Sequence, residues 1–201
     1  MATAHNLGHS VIRHRLEPSP AVEIKLGIVP MLDEPAHKVL EDDLNVHASP
    51  WERLLAVENL ADSLPQEAGL YMFVWRPTFK LAMADSSPSS FHQILYIGQA
   101  GGAGQQGNTL RNRYRGEYKK YLNGNPEALW ATQPPDTRRG RLTHYLTLRP
   151  LEYWFTTIAD RSQIENLETR LIDLYNPPAN VQKRPKLRAR VVGPRKPVLR
   201  S

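Results

Sequence analysis

Two stretches decide the fold: Gly69-Leu70-Tyr71-Met72-Phe73-Val74-Trp75 (GLYMFVW) and Gln93-Ile94-Leu95-Tyr96-Ile97-Gly98 (QILYIG). Both are short, apolar and rich in aromatic and β-branched side chains, the composition that suits a pleated, buried surface. A polar stretch with Pro77, Pro88 and four serines separates them, so they predict a hairpin with a long connection. LEYWFTTIA (151–159) predicts a third strand. Ser162 and Glu165 have the spacing of a capping box, which predicts a helix from 163 to about Tyr175, stopped by Pro177 and Pro178. Thr109 is placed to cap a basic helix, TLRNRYRGEYKKYL, that Gly116 weakens in its middle.

Away from these elements the signals thin out. AVEIKLGIVP (21–30) reads as a strand within an otherwise aperiodic 1–48. A helix is predicted at 50–63: Ser49 as N-cap, Pro50 at the first position, and Leu54, Leu55, Val57, Leu60 and Ala61 along one side. Residues 123–141, with Pro126, Pro134 and Pro135, read as irregular. The chain divides into an N-terminal extension (1–66), a central domain (67–182) and a basic tail (183–201).

Composition narrows the function classes. The 201 residues include no cysteine, which rules out disulfides, a thiolate nucleophile and a cysteine zinc site and fits a reducing compartment. No apolar run approaches a membrane span, and the first 20 residues lack the apolar core of a signal peptide, so a soluble cytoplasmic protein is expected. The net charge is +6, but eight of the positive charges fall in KRPKLRARVVGPRKPVLRS (183–201), which leaves the other 182 residues at −2. A basic tail on such a body points to a polyanion such as DNA, because each neutralised phosphate releases counterions. The stretch 31–67 holds nine acids against Lys38 and Arg53. It is a candidate docking segment for a protein partner or a second copy.

Several residues could carry chemistry. Ile164, Leu167, Leu171, Leu174 and Tyr175 form one apolar stripe on the 163–175 helix, and Glu168 falls about 40° from Ile164, inside it. A carboxylate there needs a metal ion or a cation to offset its burial, or else lies at the stripe's edge. The glycine-rich QAGGAGQQGN (99–108) matches neither a P-loop nor a GxGxxG pattern and reads as a surface loop. The seven histidines lack ligand spacing. Arg111, Arg113, Arg115, Lys119 and Lys120, with Tyr114, Tyr118 and Tyr121 among them, suit either a nucleic-acid backbone or an ordinary solvated helix face.

Taken in order, Gly69-Leu70-Tyr71, Tyr96-Ile97-Gly98, Leu110-Arg111-Asn112-Arg113, Glu168 and Asn180 resemble the GIY-YIG nuclease family. The last two resemble the metal-binding Glu and following Asn of the incision subunit of bacterial nucleotide-excision repair. The resemblance covers about 68–182. It implies an α+β fold, a small three-stranded antiparallel sheet flanked by helices, and hydrolysis of DNA phosphodiester bonds with one Mg²⁺ or Mn²⁺ ion. It also implies roles. Of Tyr71 and Tyr96, one phenol, held as phenolate by nearby cations, takes the water's proton and the other helps orient that water, Tyr71 being favoured as the base. Arg113 stabilises the phosphorane, Glu168 holds the metal, Gly69 and Gly98 shape the site, and Asn180 supports its rim. DNA contacts fall to Arg111, Arg115, Tyr118, Lys119, Lys120 and Asn180.

Three departures stand out. The hairpin is expanded, with 24 residues between Tyr71 and Tyr96, which resembles the restriction-endonuclease branch. Glu117 stands where the family has a Tyr or His, with Tyr118 one further on and a local irregularity at Gly116 available to move it into place. Gln99 stands where the repair branch has a Lys. These departures support two alternatives to an endonuclease: a non-catalytic nucleic-acid-binding module on the same fold, or an interaction protein docking through 31–67.

Overall fold

The structure is a computed structural model, and it describes residues 34–181 apart from 79, 82–88, 91, 103, 106, 133 and 134. The expected strand at 21–30 and the basic tail lie outside the described residues.

The chain is α+β around a four-stranded antiparallel sheet. Its strands are β1 (Glu52–Leu55), β2 (Gly69–Trp75), β5 (Gln93–Ala100) and β6 (Leu151–Thr157), in the order β1-β6-β2-β5. A two-residue pair, β3 (Lys80–Leu81) with β4 (Ser89–Ser90), lies in the connection between β2 and β5. The helices are α1 (Glu34–His47), α2 (Leu110–Arg113), α3 (Pro126–Trp130), α4 (Arg138–Tyr145) and α5 (Ile164–Tyr175).

The fourth strand corrects the expected three-stranded sheet and the expected helix at 50–63. Residues 52–55 are extended and pair with Glu152–Phe155, and only a 3₁₀ turn, Leu60–Ser63, coils in that stretch. The free edge of β6 offers a whole row of backbone partners, and that tertiary pairing outweighs local helix propensity. Ser49 does not cap a helix. Its Oγ accepts the Thr157 N–H at 3.0 Å and fastens the entry to β1. Residues 52–64 therefore pack with 67–181 as one body.

The other two corrections share a cause, a start signal misread. Pro126 stands at the first turn of α3 behind Asn125, whose side chain accepts from the Glu127 and Ala128 N–H groups, and Thr137 caps α4 through the Gly140 N–H. The stretch 123–141 is thus partly helical. α5 occupies its predicted span without the capping box, because Ser162 turns back and donates twice to Asp160. It ends on Asn176 in the left-handed region at φ 41°, before the two prolines.

The sheet is covered on both faces. Leu70, Met72, Val74 and Ile97 pack under α1 and α5. Tyr71, Phe73, Trp75, Leu95 and Tyr96 pack under the 3₁₀ turn, the segment 110–122, α3 and α4. Adjacent Leu95 and Tyr96 share a face because the β2–β5 register slips between Phe73 and Val74: Phe73 pairs with Tyr96, Val74 with Ile94, and Leu95 is the bulged residue.

Candidate active site

The site begins at Tyr71, which sits opposite Gly98 in the middle of the sheet. A Cβ at 98 would collide with the Tyr71 ring and hydroxyl, so the ring lies directly over the glycine backbone. Gly69 is required for a different reason: a Cβ there would run into the Thr156 carbonyl on β6. Both glycines are thus positions of close approach within the sheet.

The basic helix expected at 109–122 is three short turns of different pitch. Thr109 caps α2, its hydroxyl accepting the Asn112 N–H at 3.2 Å. The chain then widens into a π turn, Tyr114–Tyr118, in which the Lys119 N–H reaches the Tyr114 carbonyl, and tightens to 3₁₀ at Lys119–Tyr121. Gly116 lies inside the π turn. The widening carries Tyr118 inward, where its hydroxyl is 2.5 Å from the Tyr71 hydroxyl and 3.4 Å from that of Tyr96. Tyr118 is fully buried, which corrects its expected place among the DNA contacts.

Two arginines and one carboxylate enclose the phenols. Arg113 Nε lies 3.4 Å from the Tyr71 hydroxyl and 3.0 Å from Glu117. Arg138, on α4, donates through Nη2 to Tyr96 at 2.9 Å and Tyr118 at 3.1 Å, and through Nη1 to the same Glu117. Glu117 thus bridges both guanidiniums, leaving the cluster one net positive charge.

Burial is the largest influence on the ionisation of Tyr71 and Tyr118. Desolvation pushes Tyr71 well above the ordinary tyrosine range, with the Tyr96 phenol adding to it, and the opposing pull of Arg113 is smaller. Tyr118 is raised by burial and then by its phenol neighbours. Burial therefore favours the neutral phenol at Tyr71, whereas the resemblance implies a phenolate. A fourth ring, Tyr153, stacks on Tyr71 with centroids 5.4 Å apart, and its buried hydroxyl has no hydrogen-bond partner among the described residues.

The remaining expected residues scatter. Glu168 is buried on the inward stripe of α5 with Ile164, Leu167 and Leu171. Asn180 is buried with its amide committed to Ile97, accepting the backbone N–H at 2.9 Å and donating to the carbonyl at 2.8 Å, so it braces β5 and does not reach DNA. Arg111 is half-buried and engaged within the chain, its Nε donating to the Leu64 carbonyl at 2.7 Å. Arg115 pairs with Asp62 and Lys119 with Glu58, while Lys120 lies over the Tyr121 ring. Part of the acidic segment is therefore spent within the chain, including Asp43, which pairs with Arg170. Arg138 was missed because its stretch reads as irregular; the signal that could have found it is Thr137 as an N-cap.

Comparisons of the chain with protein-family models, with curated proteins and with solved structures find no match. No described helix is long and apolar enough to cross a membrane.

Proposed function

We propose that the chain is a metal-dependent endonuclease hydrolysing DNA phosphodiester bonds. The observation that supports this reading best is the convergence of Tyr71, Tyr96 and Arg113, from three separate elements, on one hydrogen-bonded cluster. The contacts of Arg113 with Tyr71 and Glu117 run through Nε, and on this reading the Nη edge of its partly exposed guanidinium meets the oxygens of a pentacoordinate phosphorus. With one net positive charge in the cluster, a single phenolate formed during turnover would be neutralised. Tyr71 is favoured as the base because it sits between Arg113 and Tyr118.

No cluster of three or more His, Asp or Glu that could form an all-protein metal cage is present among the described residues. On this reading Glu168, buried on α5, is the residue that would hold a single Mg²⁺ or Mn²⁺ whose other ligands come from water and phosphate. Such an ion, when bound, polarises the phosphate and the leaving oxygen. The complete burial of Tyr71 and Tyr118 favours one other reading, a non-catalytic DNA-binding module.

A nicking assay on supercoiled plasmid with and without Mg²⁺ decides between them. Nicking by the wild type and its loss in Glu168→Gln, with DNA binding retained, is the expected result, because an amide has nearly the carboxylate's shape but is a poor ligand for a hard cation. A wild type that binds DNA and never nicks it in Mg²⁺ or Mn²⁺ would establish the binding module.

A further inference from the structure

We infer that Arg138 is a positioning residue of this site, setting the phenols of Tyr96 and Tyr118 while Glu117 couples it to Arg113. This role rests on the nuclease reading. Arg138 donates to two phenol oxygens and one carboxylate, and its guanidinium carbon lies 5.5 Å from the centroid of the Tyr96 ring. These partners lie 42, 20 and 21 residues away in sequence, so the contacts are not a by-product of local helix geometry.

A phenol hydroxyl rotates freely about its C–O bond unless its neighbours fix it. Tyr118 accepts from Arg138 and lies within hydrogen-bonding distance of the hydroxyls of both Tyr71 and Tyr96, so the guanidinium occupies the acceptor side of Tyr118 and turns its proton toward the other phenols. Tyr96 is fixed in the same way from the same nitrogen. Lysine could not substitute, because one ammonium is a point charge without the planar fork that reaches a carboxylate and two hydroxyls together. Glu117 in turn aligns the two arginines and offsets part of their mutual repulsion.

The element carrying Arg138 is well fastened. Thr137 caps α4, and Arg141 donates to the Pro178 carbonyl at 2.9 Å while pairing with Asp136. The chain reaches Asn180 two residues after Pro178, so the braces on α4 and on β5 come from one short segment.

The test is single-turnover cleavage at saturating DNA by the wild type, Arg138→Ala and Arg138→Lys, with DNA affinity measured alongside. A misplaced catalytic group commonly costs on the order of 10²-fold, and Arg138→Ala should lose about that much rate with its DNA affinity nearly unchanged. Millimolar methylguanidinium should restore part of the lost rate, and methylammonium at the same concentration should not. Arg138→Lys should retain charge but recover little rate. Full activity in Arg138→Ala, a loss confined to DNA affinity, or equal rescue by methylammonium would overturn the inference and leave the nuclease reading standing. An inert wild type would remove both. If Arg138→Ala fails to fold, Arg138→Lys decides alone: wild-type rate overturns the inference, and slow cleavage with intact affinity upholds it.

Discussion

At Arg113 and Arg111, two residues apart on one helical turn, the same side chain does opposite work. Arg113 meets a phenol and a carboxylate, and in the proposed function it also faces the phosphate, whereas Arg111 satisfies a main-chain carbonyl. Arg113→Ala should therefore cost about 10²–10³-fold in the chemical step with little change in melting temperature. Arg111→Ala should cost about 1–3 kcal/mol of stability by stranding the Leu64 carbonyl, and leave the single-turnover rate alone. Equal rate losses in both variants would refute the distinction. Arg113, Tyr71, Tyr96 and both glycines were marked by the resemblance to the GIY-YIG family, through short motifs in a fixed order, and not by composition or periodicity. It did not mark Arg138, and it counted Tyr118 among the DNA contacts while allowing that an irregularity at Gly116 could move that ring into the site. Those two depend on helix pitch and on a helix start hidden among prolines.

The elements succeed or fail as predictions according to whether their signal is local. β2, β5, β6 and α5 carry their own periodicity and were legible within a residue or two. β1 was not, because its helix-like spacing is overruled by an edge of β6 that lies about a hundred residues away. α1 had no predicted counterpart at all. It is held by Leu40 against α5 and by the Asp43–Arg170 pair, both of which exist only after folding. The brace on β5 is equally non-local. Asn180 supplies one acceptor and one donor to Ile97, so Asn180→Ala leaves a buried N–H and a buried carbonyl unpaired. The loss expected is about 2–4 kcal/mol, read from denaturant midpoints. A change under about half a kcal/mol would mean the two groups find other partners.

Across the whole molecule, the tyrosines tie stability to alkaline pH. Tyr71, Tyr114, Tyr118 and Tyr153 are all raised above the ordinary value by burial. Each therefore contributes stability that is complete below about pH 10, the unfolded value, and is lost as pH rises toward the folded one. Thermal midpoints should hold through neutral pH and fall steeply above about 10. A flat profile through that range would show that these rings ionise as easily folded as unfolded. The basic tail acts at the same scale. Deleting 183–201 removes eight positive charges and should flatten the salt dependence of DNA binding by roughly 0.9 in log–log slope per lost phosphate contact. An unchanged slope with a lower melting temperature would instead make the tail a clasp on the acidic segment.

The brace at Asn180 has a further consequence for how copies of the molecule behave in a crowd. An outermost strand normally presents unpaired amides and carbonyls that a strand from another copy can extend, the route to sheet merging and fibrils. Here the Leu95 carbonyl accepts the Ala179 N–H, and both polar groups of Ile97 are taken by the Asn180 side chain. The opposite edge, β1, is four residues long and begins with exposed Glu52 and Arg53. The chain thus shuts the middle of one border with its own C-terminal segment and keeps the other short and charged. Three backbone groups in the middle of β5, the Leu95 carbonyl and both polar groups of Ile97, are thereby withheld from a strand of a second copy.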